Sequence, residues 1–332
     1  MSRRFYMDFE KPVVELEHRL NVLKEDPLAH EPDIHKEIDW LEGQIEKLKR
    51  RTYSNLTPWQ KVQIARHPER PRLSTYIGKM VSDWRELRGD RAFRDDQAIV
   101  GGLATIGGRR VVLVGQDKGT DIRERVRRNF GSPHPEGYRK AIRFFRLAEK
   151  FGLPLVTFID TPGAYAGVGA EERGQAWAIA ESLRTLTDLR VPVVAVNIGE
   201  GGSGGALALG VADHIIMLEH AYYSVITPEG CASILWRSKE KAPEAAEVLG
   251  LTAKNLLEMG IIDEMIDEPL GGAHRDPEAV ARGVESAVVR TLERLLEKSA
   301  EELTTERYER FRRLGVFLET GAADVDSGDG AQ

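Results

Sequence analysis

Apolar positions fall along this chain in two regimes. Near the N-terminus, Val13, Leu16, Leu20 and Leu23 follow helical spacing, and Pro27 and Pro32 interrupt it. Ile34, Ile38, Leu41, Ile45 and Leu48 then recur at i, i+4, i+7, i+11 and i+14 between charged flanks. The pattern predicts a helical hairpin or arm over residues 1–55. Its stripes can satisfy each other, pack on their own domain, or dock on a partner subunit. Residues 56–95 read as a helical connector. Thr57-Pro58 is an N-cap followed by proline at the first helical position, and a further helix is expected from Thr75 to Leu87, broken by Gly89-Asp90-Arg91.

From Gln97 the period changes. Ala98–Ile106 and Arg109–Val114 flank Gly107-Gly108, a hairpin signal. Helices are expected at Glu136–Phe151, Ala170–Thr187 and Gly205–Val211, and buried strands at Leu153–Ile159, Val191–Ile198 and His214–Leu218. Further helices follow at Glu229–Trp236, Ala242–Leu249, Ala253–Met259 and Pro277–Ala300. Strands alternating with helices imply an α/β domain over residues 96–312, its parallel sheet covered on both faces. The tail, 313–332, ends in a Gly/Ala/Asp-rich stretch and is expected to be disordered.

Composition narrows the function classes. The net charge of −6 gives no global reason to expect nucleic acid or a membrane surface as a partner. No run approaches the 18 or so apolar residues of a membrane span, and no apolar leader follows Met1, so a cytoplasmic protein is expected. A single cysteine, Cys231, excludes a disulfide framework or an all-cysteine zinc site within the chain. Its apolar neighbours mark it as structural.

Chemistry concentrates after two buried strands, where ligands bind parallel sheets. One peptide is Asp160-Thr161-Pro162-Gly163-Ala164-Tyr165. The other is Gly199-Glu200-Gly201-Gly202-Ser203-Gly204-Gly205-Ala206. The second fits several patterns. Gly199-x-Gly201-x-x-Gly204, with Glu219 twenty residues on, matches a dinucleotide fingerprint. Gly201-x-Ser203-x-Gly205, with His214, His220 and His274 downstream, matches a nucleophile elbow. Close helix–strand packing is the plainer reading. All the ligand-binding readings share one physical content: residues without Cβ let backbone N–H groups face a ligand, and a helix beginning at Gly204–Gly205 adds unpaired N–H groups and a positive dipole end. Such a site favours negative charge.

Taken together, Ile159–Tyr165, Gly169–Gln175 and Gly199–Ala206 closely resemble the α subunits of bacterial acetyl-CoA carboxylase carboxyltransferase. So do Arg127–Gly131, Pro135–Ala141, Ser224–Trp236 and Glu268–Arg275, and the likeness runs from the N-terminal helices to about residue 310. Ala166 departs from the family's usual proline, which loosens that turn.

The resemblance implies a crotonase (ClpP-like) fold of βαβ units. It also implies transfer of a carboxyl group from carboxybiotin, held on a separate biotin carboxyl carrier protein, to the coenzyme A thioester acetyl-CoA. The product is malonyl-CoA, at the first committed step of fatty-acid synthesis. The implied partners are a zinc-ribbon-bearing β subunit in an α2β2 assembly and, in the ATP-binding holoenzyme, biotin carboxylase. No metal is expected in this chain. Gly204 and Gly205 are expected to donate their amides to the biotin ureido oxygen, with Gly201, Gly202, Ser203 and Ala206 contributing to the substrate site. Gly163, Ala164 and Tyr165 are expected to shape the facing wall, Tyr165 as a stacking or packing ring. Glu171, Glu172 and Arg173 are expected to brace that turn. Arg123, Arg125, Arg127 and Arg128, with Lys118 nearby, form a basic run that meets phosphates, a carrier, or only solvent. His274 is a candidate interface residue. The alternative is a stand-alone crotonase-type acyl-CoA hydratase or isomerase, which needs acid/base carboxylates beside the oxyanion site.

Overall fold

The computed structural model describes residues 5–27 and 31–315. The expectation of a disordered tail therefore lies, from residue 316 on, outside the described residues.

Helices α1 (Lys11–Glu25) and α2 (Pro32–Tyr53) pack against each other through Val13, Ile38, Leu41 and Ile45. Buried Glu10 accepts from the Tyr53 hydroxyl, and Arg275 reaches Glu17 at 3.4 Å, so the pair is tied to the body of its own chain. Helix α3 (Pro58–Ala65) begins at Thr57, whose hydroxyl accepts from the Gln60 amide at 3.2 Å.

The helix expected over Thr75–Leu87 stops early. Helix α4 (Leu73–Met80) gives way to strand β1 (Ser82–Glu86), which pairs antiparallel with strand β2 (Ile99–Ile106), Arg85 opposite Leu103. Pairing with an open sheet edge outweighs local helix preference there. Gly102 permits it, because a Cβ at that position would lie 2.1 Å from the Arg85 carbonyl. Strand β2 and strand β3 (Arg109–Gln116) form the expected hairpin. Gly107 and Gly108 both have positive φ, 53° and 77°, as a type I′ turn requires.

Helix α5 (Ile122–Arg127) precedes helix α6 (Pro135–Phe151), which packs on β2 and β3 and ends at left-handed Gly152. Strand β4 (Leu155–Thr161) is buried along its whole length, as is strand β5 (Val193–Gly202), in keeping with strands covered on both faces. Between them the expected single helix is two, α7 (Val168–Glu171) and α8 (Gln175–Asp188), because Gly174 turns left-handed at φ 80°. The short helix α9 (Ser203–Leu207) follows β5.

Strand β6 (His214–Leu218) lies where expected. Strand β7 (Tyr222–Ser224) was not anticipated, and it pairs with the far end of β5, Gly201 opposite Tyr223. Helices α10 (Pro228–Trp236), α11 (Ala242–Val248) and α12 (Ala253–Glu258) lead to strand β8 (Glu264–Ile266), also not anticipated. The last expected helix is again two. Helix α13 (Pro277–Leu295) ends before Ser299, and helix α14 (Ala300–Arg312) starts there. The Ser299 hydroxyl accepts from the Glu302 amide, while the Glu302 carboxylate accepts from the Ser299 amide at 2.7 Å.

The sheet runs β1-β2-β3-β4-β5-β6-β8 with β7 beside β5, antiparallel through β1–β3 and parallel from β3 onward. The carboxyl ends of β3, β4 and β5 therefore come together at one rim.

Candidate active site

Both glycine turns stand on this rim. Between Ile159↔Asn197 and Thr161↔Gly201, β5 carries two more residues than β4. That bulge turns Glu200 inward. Beneath the turns lies a buried polar network. The Lys118 ammonium sits 2.5 Å from Asp160 and 2.6 Å from Glu200. Arg72 holds the other oxygen of Asp160 at 3.3 Å. Arg66 holds Glu200 at 2.7 Å, Glu229 at 2.5 Å and, more loosely, the Tyr222 hydroxyl, which also donates to Glu200 at 2.8 Å. The Glu200 amide donates to Asp160 at 3.0 Å. Burial alone would raise the Glu200 pKa, but Lys118 and Arg66 outweigh it and hold the carboxyl down to about 2. Alongside, fully buried Arg70 grips Glu268 with two hydrogen bonds, 2.5 and 3.0 Å, and donates to the Ile198 carbonyl at 2.7 Å. Arg70, with the amide of Ala273, likewise holds Glu268 near 2 against its burial.

The glycines above this network divide by cause. A Cβ on Gly202 would lie 2.2 Å from the Pro162 carbonyl oxygen. One on Gly205 would lie 2.4 Å from the Ala164 amide, one on Gly201 would lie 2.6 Å from the Asn197 amide nitrogen, and one on Gly199 would lie 2.6 Å from an Asp160 oxygen. Close packing accounts for all four, as the plainer reading held. Gly204 is different. A Cβ there would meet only Ile179, at an ordinary 3.6 Å, and the residue is half-exposed. Its neighbour Ser203 is held left-handed at φ 52°, a conformation that costs an L-residue about 1–2 kcal/mol. This kink starts α9, so the Gly204 and Gly205 amides fall in a first turn with no carbonyl of their own helix to bond.

Gly163, at φ 145°, is fixed by Thr161, whose hydroxyl accepts from its amide at 3.0 Å. Gly163 and Ala164 form the wall that Gly205 touches. Tyr165 packs its ring on His134, 4.4 Å between centroids, and above Gly167, and remains partly exposed. Its carbonyl accepts from buried Gln175 at 2.9 Å. Arg173 braces this turn as expected, donating to the Gly169 carbonyl at 2.5 Å and to buried Glu136 at 3.0 Å. Glu171 and Glu172 are instead exposed.

Ser203 is no nucleophile in this setting. His214 pairs with Val194 at the amino end of β5, about seven residues and hence ~23 Å of strand from Gly201. His220 lies against Glu219, and His274 is stacked 3.8 Å from His67. The basic run also divides. Arg125 and Arg128 donate to the carbonyls of Pro68 and Gln97, while Arg123 and Arg127 are exposed. Cys231 packs with Ala232 and Ala245.

Sequence reading missed the network residues Arg66, Arg70, Arg72, Gln116 and Glu268. Its signal was the three arginines within seven residues, Arg66-His67-Pro68-Glu69-Arg70-Pro71-Arg72, in a segment otherwise read as connector. Among the described residues there is no cluster of three or more metal-binding side chains, and no helix is long and apolar enough to cross a membrane.

A family model for acetyl co-enzyme A carboxylase carboxyltransferase-like proteins matches residues 6–315. A relative from Thermus thermophilus, named acetyl-coenzyme A carboxylase carboxyl transferase subunit alpha, is 54% identical over 94% of this chain and 99% of its own. A protein of the same name from Burkholderia mallei is 53% identical over 95% and 98%. Among solved structures, the fold is similar to transcarboxylase 12S (TM-score 0.54, 22% identity, 67% of this chain and 41% of that one). It is also similar to a chain of a Pseudomonas malonate decarboxylase hetero-tetramer (0.54, 18%, 66% and 90%). At these identities the likeness speaks for the fold, and it bears out the expected crotonase-type α/β architecture. The stand-alone hydratase or isomerase gives way on two grounds. The relatives are named carboxyl transferase subunits, and of the four carboxylates that the two turns offer as acid/base candidates, Asp160 and Glu200 are consumed by Lys118, Arg66 and Arg72, while Glu171 and Glu172 are exposed. Matched from residue 6 to residue 315, this chain belongs to the acetyl-CoA carboxylase carboxyltransferase-like family.

Proposed function

We propose that this chain is the α half of a carboxyltransferase that works with a β partner, taking the carboxyl group from carboxybiotin on a carrier protein and giving malonyl-CoA from acetyl-CoA. The observation that carries the site assignment is Gly204. Packing explains its glycine neighbours but not Gly204 itself, where a Cβ would fit at ordinary contact with Ile179 beside two first-turn amides. An approaching ligand supplies the missing reason.

Carboxybiotin, when bound, supplies the carboxyl group, and its ureido oxygen gains negative charge as that group departs. The Gly204 and Gly205 amides, together with the positive end of α9, are suited to hold that charge, and one such donor contributes roughly 3 kcal/mol to lowering a barrier. Gly205 itself packs on Gly163 and Ala164, which keeps the donor turn against the facing wall. The network beneath is poorly suited to supply a general base, because Lys118 and Arg66 hold Glu200 too weakly basic to take a proton and Asp160 is paired with Lys118 and Arg72. That suits a reaction whose proton acceptor comes with the substrate rather than from this chain. Exposed Val168, Trp177 and Leu207 beside the turn suit a protein partner that completes the site. The proposed partners are the zinc-ribbon β subunit in an α2β2 assembly, the carrier protein and biotin carboxylase.

The test is reconstitution. Malonyl-CoA should form from carboxybiotin and acetyl-CoA only when the β partner is added. Gly204→Val should lower turnover by about 100-fold or more while the assembly persists, since the first added carbon meets nothing closer than Ile179 at 3.6 Å. Full activity from the isolated chain, or unchanged turnover in the variant, would refute the reading.

A further inference from the structure

Gln116 ends β3, is fully buried, and uses both ends of its side-chain amide. Its Nε2 donates to the Gly205 carbonyl at 2.9 Å, and its Oε1 accepts from the Asp160 amide at 3.1 Å. These two contacts fix which end is nitrogen, since the reverse orientation would set donor against donor and acceptor against acceptor. The Gly205 carbonyl has need of such a partner. Helix α9 closes too early to use it: the Leu209 amide, four residues on, donates to Ala206 at 3.0 Å instead. The Asp160 amide lies at the carboxyl end of β4, where the facing turn begins. One side chain from a third strand thus clamps the donor turn and the opposite wall together.

We infer that Gln116 is a positioning residue for the carboxyl transfer, a step that rests on the function proposed above. By holding the Gly205 carbonyl it sets the peptide planes of α9's first turn, and so the direction in which the Gly204 and Gly205 N–H groups point. By holding Asp160 it sets the distance to Gly163 and Ala164. The effect is large because a misplacement of about 1 Å in such a site costs on the order of 100-fold in rate. The charged groups around the clamp are Asp160 on β4, Glu200 on β5, Lys118 and Asp117 just beyond β3, and Arg72 ahead of α4. These groups already pair or bond among themselves, or with nearby backbone amides. The neutral amide is therefore free to serve the two backbone groups.

The test uses the full assembly with the β partner, carboxybiotin and acetyl-CoA, and two variants of nearly the same size. Gln116→Met removes both hydrogen bonds. Gln116→Glu keeps an acceptor for Asp160 but turns a second acceptor toward the Gly205 carbonyl, unless its carboxyl is protonated. Thermal midpoint and assembly are followed in parallel, and rates are expressed per assembled enzyme. The expected result for Gln116→Met is a kcat lower by roughly 100-fold with KM for acetyl-CoA within about threefold of wild type. Gln116→Glu should lose as much at pH 8 and regain activity relative to wild type as the pH falls, because the protonated acid donates again and burial raises its pKa. A kcat within twofold of wild type in Gln116→Met, a loss explained wholly by fewer assembled molecules, or a flat pH ratio for Gln116→Glu would overturn the role. A wild-type assembly that makes no malonyl-CoA would overturn the proposed function itself, a result separate from any outcome of the variants.

Discussion

Ion pairs serve both the floor of the glycine turns and the N-terminal helix pair, in different media. Between α1 and α2, Arg19 meets Glu37 at 2.5 Å and Lys24 meets Glu42 at 2.6 Å, with all four side chains 40–59% exposed. Under the turns, Arg70 and Glu268 are both fully buried, and Lys118 and Asp160 are 8% and 1% exposed. The distances are alike. The first set trades water for protein contacts at little gain, while the second has no water to fall back on. Similar pairing therefore fixes a rigid platform in one region and decorates a helix surface in the other.

Acid should break that contrast most completely. Glu200 and Glu268 titrate at about 2 in the folded chain against an ordinary 4.5. Folding therefore favours their charged forms, and the stability they contribute is present above pH 4.5 and lost as the pH falls from about 4.5 to about 2. Tryptophan fluorescence and circular dichroism over that range should report loss of the body of the fold. Next in size, Arg70→Met strands the Glu268 carboxylate and should lower unfolding free energy by about 4 kcal/mol in urea titration. Gly205→Ala forces a Cβ against the Ala164 amide and should cost about 2 kcal/mol, along with activity. Comparison with Gly204→Val, which should spare stability, sharpens the division between the glycine that packing requires and the one it does not. Smallest is Lys24→Ala, expected to change stability by about 0.5 kcal/mol or less and to lose even that in high salt.

Much of the fold was legible in the sequence because its signals are local. Gly107-Gly108 announced a type I′ hairpin, Gly152 ended α6, and the unbroken apolar runs of β4 and β5 marked buried parallel strands. Two misreadings had local signals too. Ser299-x-x-Glu302 is a helix start inside an otherwise continuous helical stretch, and Gly174 breaks the α7–α8 run. Strand β1 had none, since Ser82–Glu86 become a strand only because the β2 edge is there to pair with. Strand β7, three residues long, exists only because β5 extends to Gly202.

The tight glycine-rich turn after a buried strand, and the family, followed from the sequence alone, since residue type at close spacing dictates which backbone shapes are open. The sequence did not distinguish Gly204 from Gly205, because both are simply glycine. Only the tertiary structure decides that a Cβ on one would clash with Ala164 while a Cβ on the other would meet Ile179 at ordinary contact distance. Nor did it connect Arg70 to Glu268, 198 residues away, or Gln116 to Gly205, 89 residues away. Such contacts depend on which strand ends meet at one rim, a property of sheet order that no single segment encodes.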